Sequence, residues 1–346
     1  MSMVAEMDIS WSTYKKRFRR DAARDNKSEE YVAACLAYAE PIWRESIPPI
    51  FDQHHLSRLL GYNEHYLYGI TNMPRRYYRI FNISKASGGM RQIEEPLPSL
   101  KEIQDWILRN ILDHLSPSKY AKAYRKGFSL MDNARFHRGQ SVLLKMDIKD
   151  FFPSVTYKKV FGVFRRCGYT IDVSTMLAKL CCIHDRLPQG SPASPAISNL
   201  VMKRVDARLG GYCRARSIRY TRYADDLAFS GSFKPSPLIH FTSTVLQDDG
   251  YRPNKRKTRV LLPHQRQMVT GVVVNNRKAR VPRETRRDLR KILHYMEQFG
   301  VDDHLEHIGE TRGNYIEHCR GIANWVLSID PDDSIARKVL LYLGRH

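Results

Sequence analysis

Two adjacent acids at the tip of a strand pair constrain this chain more than any other feature. Arg219-Tyr220-Thr221-Arg222-Tyr223 and Leu227-Ala228-Phe229-Ser230 are strand-length runs rich in aromatic and apolar residues, joined at Ala224-Asp225-Asp226. They predict a hairpin with acid at its tip. Like charges so close repel and raise one another's pKa unless a cation intervenes. Alone, an Asp-Asp pair would mark nothing more than a turn. A third acid changes that. Asp147 closes the apolar run Val142-Leu143-Leu144-Lys145-Met146, 78 residues before Asp225, and a sheet can set that strand end beside the hairpin tip. Three hard carboxylates suit Mg²⁺, with Mn²⁺ as the alternative, and two such ions roughly 3.5–4 Å apart activate an attacking oxygen and stabilise a leaving one.

Charge supplies the context. The chain has 57 Lys+Arg against 36 Asp+Glu in 346 residues, a net +21. Self-repulsion on that scale is relieved by a polyanion, of which nucleic acid is the first candidate; the alternative is a merely soluble basic surface. From Arg252 to Lys291 there are fourteen Lys/Arg and two acids, Glu284 and Asp288. A second cluster, Lys15 to Arg20, is interleaved with Tyr14 and Phe18 and reads either as a backbone-tracking segment or as the solvated face of a short helix. Together the acids and the charge describe a phosphoryl-transfer site facing nucleic acid.

Other classes drop out. With 42% hydrophobic residues the chain can bury a sizeable core, and at about 150 residues per domain it makes two or three compact units. No apolar run approaches the roughly 18 residues of a membrane-spanning helix, and the start, MSMVAEMDISW, lacks a signal-peptide core, so a cytoplasmic protein is expected. The six cysteines are scattered without a CxxC pair and read as reduced core thiols.

Ser99 followed by Glu102 predicts a capping box for a helix carrying Ile103, Trp106, Ile107 and Ile111 and ending near Pro117. Thr156 is expected to cap a helix with Val160, Phe161 and Phe164, stopped at Gly168. Ser194 as N-cap and Pro195 at the first position predict one helix through Ile197, Leu200, Val201, Val205 and Leu209, closed by Gly210-Gly211. Strand, helix, helix, strand, strand over 142–230 suits an antiparallel sheet covered by helices on one face, an α+β fold. Beyond the basic window, helical periodicity runs through Leu289 to Phe299, Tyr315 to Val326 and Ser334 to Leu343.

The segments RYTRYADDLAFS, LLKMDIKDFFPS and LPQGSPASPAISNL resemble, in order and spacing, the palm and fingers motifs of a reverse transcriptase. Asn133-Ala134-Arg135-Phe136-His137 resembles the NAxxH motif, and Val269-Thr270-Gly271 the VTG triplet, of bacterial retron reverse transcriptases; the likeness spans about residues 75 to 330. It implies a right-hand polymerase architecture with fingers, palm and helical thumb: an N-terminal helical extension over 1–64, fingers over 65–140 with part of 155–195, palm over 141–275 and thumb over 276–346.

The same resemblance assigns roles. Asp147, Asp225 and Asp226 would be catalytic and hold two Mg²⁺, or Mn²⁺, with the Ile148 carbonyl as an extra ligand. Phe152 would be the steric gate that excludes a 2′-hydroxyl, while Phe151 reads as core. Gln189 would pack against the nucleotide, with Gly190 allowing close backbone approach, although Pro188-Gln189-Gly190 by spacing is only a turn. Lys85 and Arg91, flanking Ser87-Gly88-Gly89 between strand-like Tyr77–Ile83 and Gln92–Glu94, would clamp the triphosphate. Lys257 would act near the leaving group, with Lys255 an alternative.

Asn133, His137, Val269, Thr270 and Gly271 would contact the cognate RNA beside Arg135 and Arg138, as would Arg283, Arg286, Arg287 and Arg290 of the thumb; a polar surface pair is the other reading of Asn133 and His137. The implied activity is RNA-directed DNA synthesis of retron type. It would prime from a guanosine 2′-hydroxyl of the chain's own structured noncoding RNA to give branched RNA–DNA (msDNA), within an antiphage defence system. The implied partners are that RNA and its cDNA, deoxynucleoside triphosphates and an accessory effector protein, with oligomerisation through the ribonucleoprotein and no membrane. The rival readings are a group II intron-like or diversity-generating reverse transcriptase and a non-catalytic RNA-binding scaffold. Ending at His346, the chain is expected to lack an endonuclease or RNase H domain.

Overall fold

The structure is a computed structural model that describes residues 9–85, 88–307, 309 and 314–344; Ser87 of the expected fingers loop and the first eight residues of the N-terminal extension lie outside the described residues. Two compact units emerge, each built from three chain segments.

The first unit comprises Met1–Tyr124, Ile148–Arg208 and Ser243–Pro253. Helices Trp11–Arg24, Glu29–Arg44, Gln53–Leu60 and Glu64–Asn72 open it. Each begins at a polar residue, Ser10, Ser28, Asp52 or Asn63, whose side chain accepts a hydrogen bond from the backbone N–H three residues on. Such caps satisfy donors that the first helical turn leaves free. Tyr14, Ala22, Val32 and Leu36 close the first two helices on each other, with Phe18 and Trp43 packed alongside. The basic cluster is therefore the outer side of an amphipathic helix, with Lys16, Arg17, Arg19 and Arg20 exposed.

Strands β1 (Tyr78–Ser84) and β2 (Met90–Pro96) form an antiparallel hairpin, followed by helix Pro98–Asn110. The expected capping box is absent from that helix. Leu97 occupies the N-cap with Pro98 in the first turn, and no side chain caps the end. Ser99 instead hydrogen-bonds the Tyr66 hydroxyl, and Glu102 accepts the Tyr62 hydroxyl at 2.7 Å. Tertiary partners took both groups. Buried Gln104 donates to the Tyr78 hydroxyl and to the Leu180 carbonyl, both at 2.8 Å, which ties this helix to β1 and to helix Ile171–Cys181.

Helix Tyr157–Arg166 follows Thr156 as expected, though without a side-chain cap, and Gly168 (φ +95°) lies just past its C-cap. The single helix expected from Ser194 is two: Ser194–Val201, with Ala193 at the N-cap, and Lys203–Arg214. Gly210 and Gly211 lie inside the second and do not stop it. A glycine costs a helix interior only about 1 kcal/mol, less than the burial of Leu209 and Cys213 returns.

The second unit comprises Arg125–Asp147, Leu209–Thr242 and Asn254–His346. Its sheet has the order β4-β5-β3-β6 once β3 (Val142–Asp147), β4 (Arg219–Tyr223), β5 (Asp226–Gly231) and β6 (Arg259–Leu261) are numbered along the chain, and the neighbours pair antiparallel. β7 (Met268–Val269) and β8 (Val272–Val273) make a separate small hairpin. Helices Arg283–His307, broken at Gly300 (φ +81°), Tyr315–Ile329 and Ser334–Leu343 complete the unit. Leu289, Leu293 and Met296 of the first pack with Cys319, Ala323 and Val326 of the second and Val339 and Leu343 of the third; the same core takes in Leu143, Ala228, Val269 and Val272. Five cysteines are buried, Cys35 is half-buried, and none of the six is in a disulfide. No helix among the described residues is long and apolar enough to cross a membrane.

Candidate catalytic site

The acid-tipped hairpin forms as its sequence dictates. Tyr223 pairs with Asp226, which leaves Ala224-Asp225 as a two-residue turn with Ala224 at φ +55°. Arg222, fully buried inside β4, donates from its guanidinium to the Ala224 carbonyl at 3.1 Å and so fastens the tip from within. The sequence marks Arg222 only as a strand residue. A basic side chain at that position betrays no burial.

On the other side of β5, Asp147 lies directly opposite Asp226 in the β3–β5 register. Antiparallel partners have Cα atoms about 4.5–5.5 Å apart. Burial, then repulsion from Asp226 and Asp147, pushes the Asp225 carboxyl up to about 6. Burial also raises Asp226, with Asp147 adding to it and the Lys145 and Lys257 ammonium groups opposing.

Asp147 is itself buried, and its carboxylate accepts from Lys257 Nζ at 2.6 Å and from Asn254 Nδ2 at 3.0 Å. The Asn254 N–H also donates to the Asp147 carbonyl at 2.7 Å. Hydrogen bonding to Asp147 raises the Lys257 pKa despite opposing desolvation, so that ammonium stays charged. Between Lys255 and Lys257, it is Lys257 that reaches the acid. Asn254 had no sequence signal beyond preceding a basic run.

The three acids converge, with Asp147 held by Lys257 and Asn254; among the described residues no three His, Cys, Asp or Glu side chains are already grouped as a metal site. The donor chemistry fits a hard divalent cation, since repulsion among the acids adds to burial in raising Asp225 and Asp226, and such an ion relieves it. Ile148, expected as a backbone ligand, is buried and bridged antiparallel to Pro253.

Asn133 and His137, expected to touch RNA, lie inside the protein. They are 1% and 0% exposed. Helix Leu130–Phe136 starts with a capping box between Ser129 and Asp132, and His137 is its C-cap. The His137 ring lies 2.7 Å from Ser230 Oγ through Nδ1 and 2.7 Å from Thr221 Oγ1 through Nε2, while Thr221 Oγ1 donates to Asn133 Oδ1 at 2.6 Å. Their polar atoms are thus used inside the protein, by Thr221 and Ser230, which the sequence left unmarked. Arg135 and Phe136 are exposed on the same helix. Val269 is buried, and Thr270-Gly271 (φ +46° and +83°) is the two-residue turn between β7 and β8, with Thr270 Oγ1 donating to the Leu130 carbonyl at 3.4 Å.

In the first unit, Phe151 is buried and Phe152 half-buried, with ring centres 5.5 Å apart. Tyr251 stands 6.3 Å from Phe151, and Lys159 Nζ lies 3.4 Å from the centre of the Tyr251 ring. The Gln189 carbonyl accepts from the Glu94 N–H at 2.8 Å. At Gly190 (φ +145°) a Cβ would come within 2.7 Å of the Glu94 carbonyl oxygen, so the close approach that requires glycine is to β2. Lys85 and Arg91 are exposed at the turn end of the β1–β2 hairpin, where the Lys85 N–H donates to the Gly89 carbonyl at 2.9 Å.

Arg283, Arg286, Arg287 and Arg290 are all exposed along one helix of the second unit. Arg286 is nevertheless committed: its guanidinium lies 2.7 Å from the buried carboxylate of Asp333, which also caps helix Ser334–Leu343 through the Ile335 and Ala336 N–H groups.

Residues 83–299 match the family described as reverse transcriptase (RNA-dependent DNA polymerase). The chain is 36% identical over 272 residues to the retron Ec86 reverse transcriptase of Escherichia coli, covering 78% of this chain and 81% of that one. It is 34% identical over 344 residues to the retron Mx65 reverse transcriptase of Myxococcus xanthus, covering 92% and 75%.

Proposed function

Because this chain belongs to the reverse transcriptase family and is an RNA-directed DNA polymerase of the retron type, we propose that it copies its own structured noncoding RNA, priming from a guanosine 2′-hydroxyl to give branched RNA–DNA. The observation that carries the reading is Asp147 opposite Asp226 in the ladder, with Asp225 next in the turn. Asp147, Asp225, Asp226 and the Ile148 carbonyl would hold a pair of Mg²⁺ ions, or Mn²⁺, which would supply activation of the primer hydroxyl and neutralisation of charge at the α-phosphate.

The chain's own groups do the rest. Asn254 keeps Asp147 oriented through two hydrogen bonds. Lys257, charged and within reach of the acids, offers a proton to the departing pyrophosphate. Lys85 and Arg91 hold the triphosphate, Gln189 packs on the nucleotide, and the Phe152 ring excludes a ribose 2′-hydroxyl. Fingers over 65–140 with part of 155–195, palm over 141–275 and thumb over 276–346 organise this work, and Arg283, Arg287 and Arg290 hold the nucleic-acid backbone. The net charge of +21 supports a polyanionic partner. Action in the cytoplasm, within an antiphage system and with an effector protein, completes the proposal.

The test is the Asp225→Asn plus Asp226→Asn double variant, supplied with deoxynucleotides, Mg²⁺ and cognate RNA. Synthesis should vanish while the circular-dichroism melt persists. DNA made at the normal rate by this variant would overturn the reading.

A further inference from the structure

Four buried polar side chains, separated by up to 97 residues in sequence, form one hydrogen-bonded chain behind the acid-tipped hairpin. Thr221 Oγ1 donates to Asn133 Oδ1, so its lone pairs are what His137 Nε2 meets. In the neutral ring Nε2 then carries the hydrogen, and Nδ1 accepts from the Ser230 hydroxyl. In that form the sequence of donors is Ser230 to His137 to Thr221 to Asn133.

We propose that Asn133 and His137 are positioning residues for catalysis, clamping β4 and β5 in register so that Asp225 and Asp226 are held for reaction, and are not RNA-contacting residues. The inference rests on the reading of those two acids as catalytic. Thr221 sits opposite Ala228 in the β4–β5 ladder, so Thr221 and Ser230 project from one face of the two strands. Strand alternation places Asp226, Ala228 and Ser230 on that same face. A one-residue slip would turn every side chain of β5 to the other face, Asp226 included. One imidazole bonded to both strands opposes the slip, and the helix that carries it is seated at its start by Thr270, whose hydroxyl donates to the Leu130 carbonyl. The two retron-type motifs are thereby parts of one support: the Thr270-Gly271 turn seats the helix, and the helix seats the hairpin.

The discriminating experiment uses the full-length protein and two substrates, a generic oligo(dT)-primed poly(rA) and the cognate RNA. Thr221→Val keeps the side-chain shape and removes the relay. It should lower kcat for incorporation on the generic template about 10- to 100-fold, with KM for dTTP and the dissociation constant for cognate RNA unchanged within about twofold. Thr221→Ser restores the hydroxyl and should restore the rate, which a merely volumetric role would not require. If Thr221→Val fails to fold, Ser230→Ala, which deletes only the outermost donor, carries the same expectation. Loss of cognate RNA affinity with the generic rate intact would make the motif an RNA contact and overturn the proposal. So would a normal generic rate in a folded Thr221→Val variant while the Asp225→Asn plus Asp226→Asn control is inactive. Activity in that control would instead remove the underlying reading.

Discussion

Asp147 and Asp226 stand directly opposite each other on adjacent antiparallel strands, so two acids far apart in the chain share a site through one ladder position. Lys257 lies on Asp147, and both hairpin acids are raised above their ordinary values. Held this way, the carboxylates destabilise the fold in the ionised form unless cations offset them, and that tension has measurable consequences.

The Asp225 carboxyl sits at about 6 in the fold against an ordinary 3.8. A group that binds its proton more tightly when folded stabilises the fold at low pH and loses that contribution as pH rises. The metal-free protein should therefore lose stability between about pH 4 and pH 6 through this group. Asp225→Asn should raise the melting temperature at pH 7.5 in chelator by ~2 °C, a shift of the size that about 1–1.5 kcal/mol produces in a chain of this length. The gain should shrink at pH 4 and on adding Mg²⁺. Equal gains at both pH values in thermal melts would contradict it.

Lys257 Nζ lies 2.6 Å from the carboxylate of buried Asp147. Lys257→Met should slow single-turnover incorporation by about 10²-fold, the usual scale of a lost proton donor. Lys257→Arg should retain more of the rate, and Lys255→Met should be near normal. Rapid-quench kinetics decide; equal effects at 255 and 257 would refute the assignment to Lys257.

Phe152 is half-buried, with its ring centre 5.5 Å from that of Phe151 and 6.4 Å from that of Tyr124. Forcing an extra atom into packed space costs about 1–3 kcal/mol. Phe152→Ala should accordingly reduce the preference for deoxy- over ribonucleotides by ~10–100-fold, read from the ratio of kcat/KM values. An unchanged ratio would remove the gate assignment.

The four exposed arginines of helix Arg283–His307 separate into two kinds. Arg287→Gln and Arg290→Gln should each lower the slope of log affinity against log salt by about 1, as lost phosphate contacts do. Arg286→Gln should instead lower the melting temperature, because the buried Asp333 carboxylate loses its cation and an uncompensated buried charge is costly. Filter-binding titrations and thermal melts on the same preparations distinguish the two classes.

The sequence by itself determined the strand ending in Asp147, the hairpin carrying Asp225 and Asp226, the basic window and the three C-terminal helices, because alternation, helical spacing and turn chemistry act between near neighbours. It also determined, through ordered motifs, the family to which the chain belongs. Only the tertiary structure decided where polar side chains spend their hydrogen bonds. Ser99 and Glu102 left their capping box for Tyr66 and Tyr62. Arg222 turned inward to hold the Ala224 carbonyl, Lys257 and Asn254 settled on Asp147, and His137 closed on Thr221 and Ser230. Several of these pairs lie 84 to 110 positions apart, and a donor's partner at such separation is fixed by which strands and helices come to share a layer. Local periodicity carries no record of that choice, since a serine, histidine or arginine has the same local preferences whether its partner is water or a buried hydroxyl.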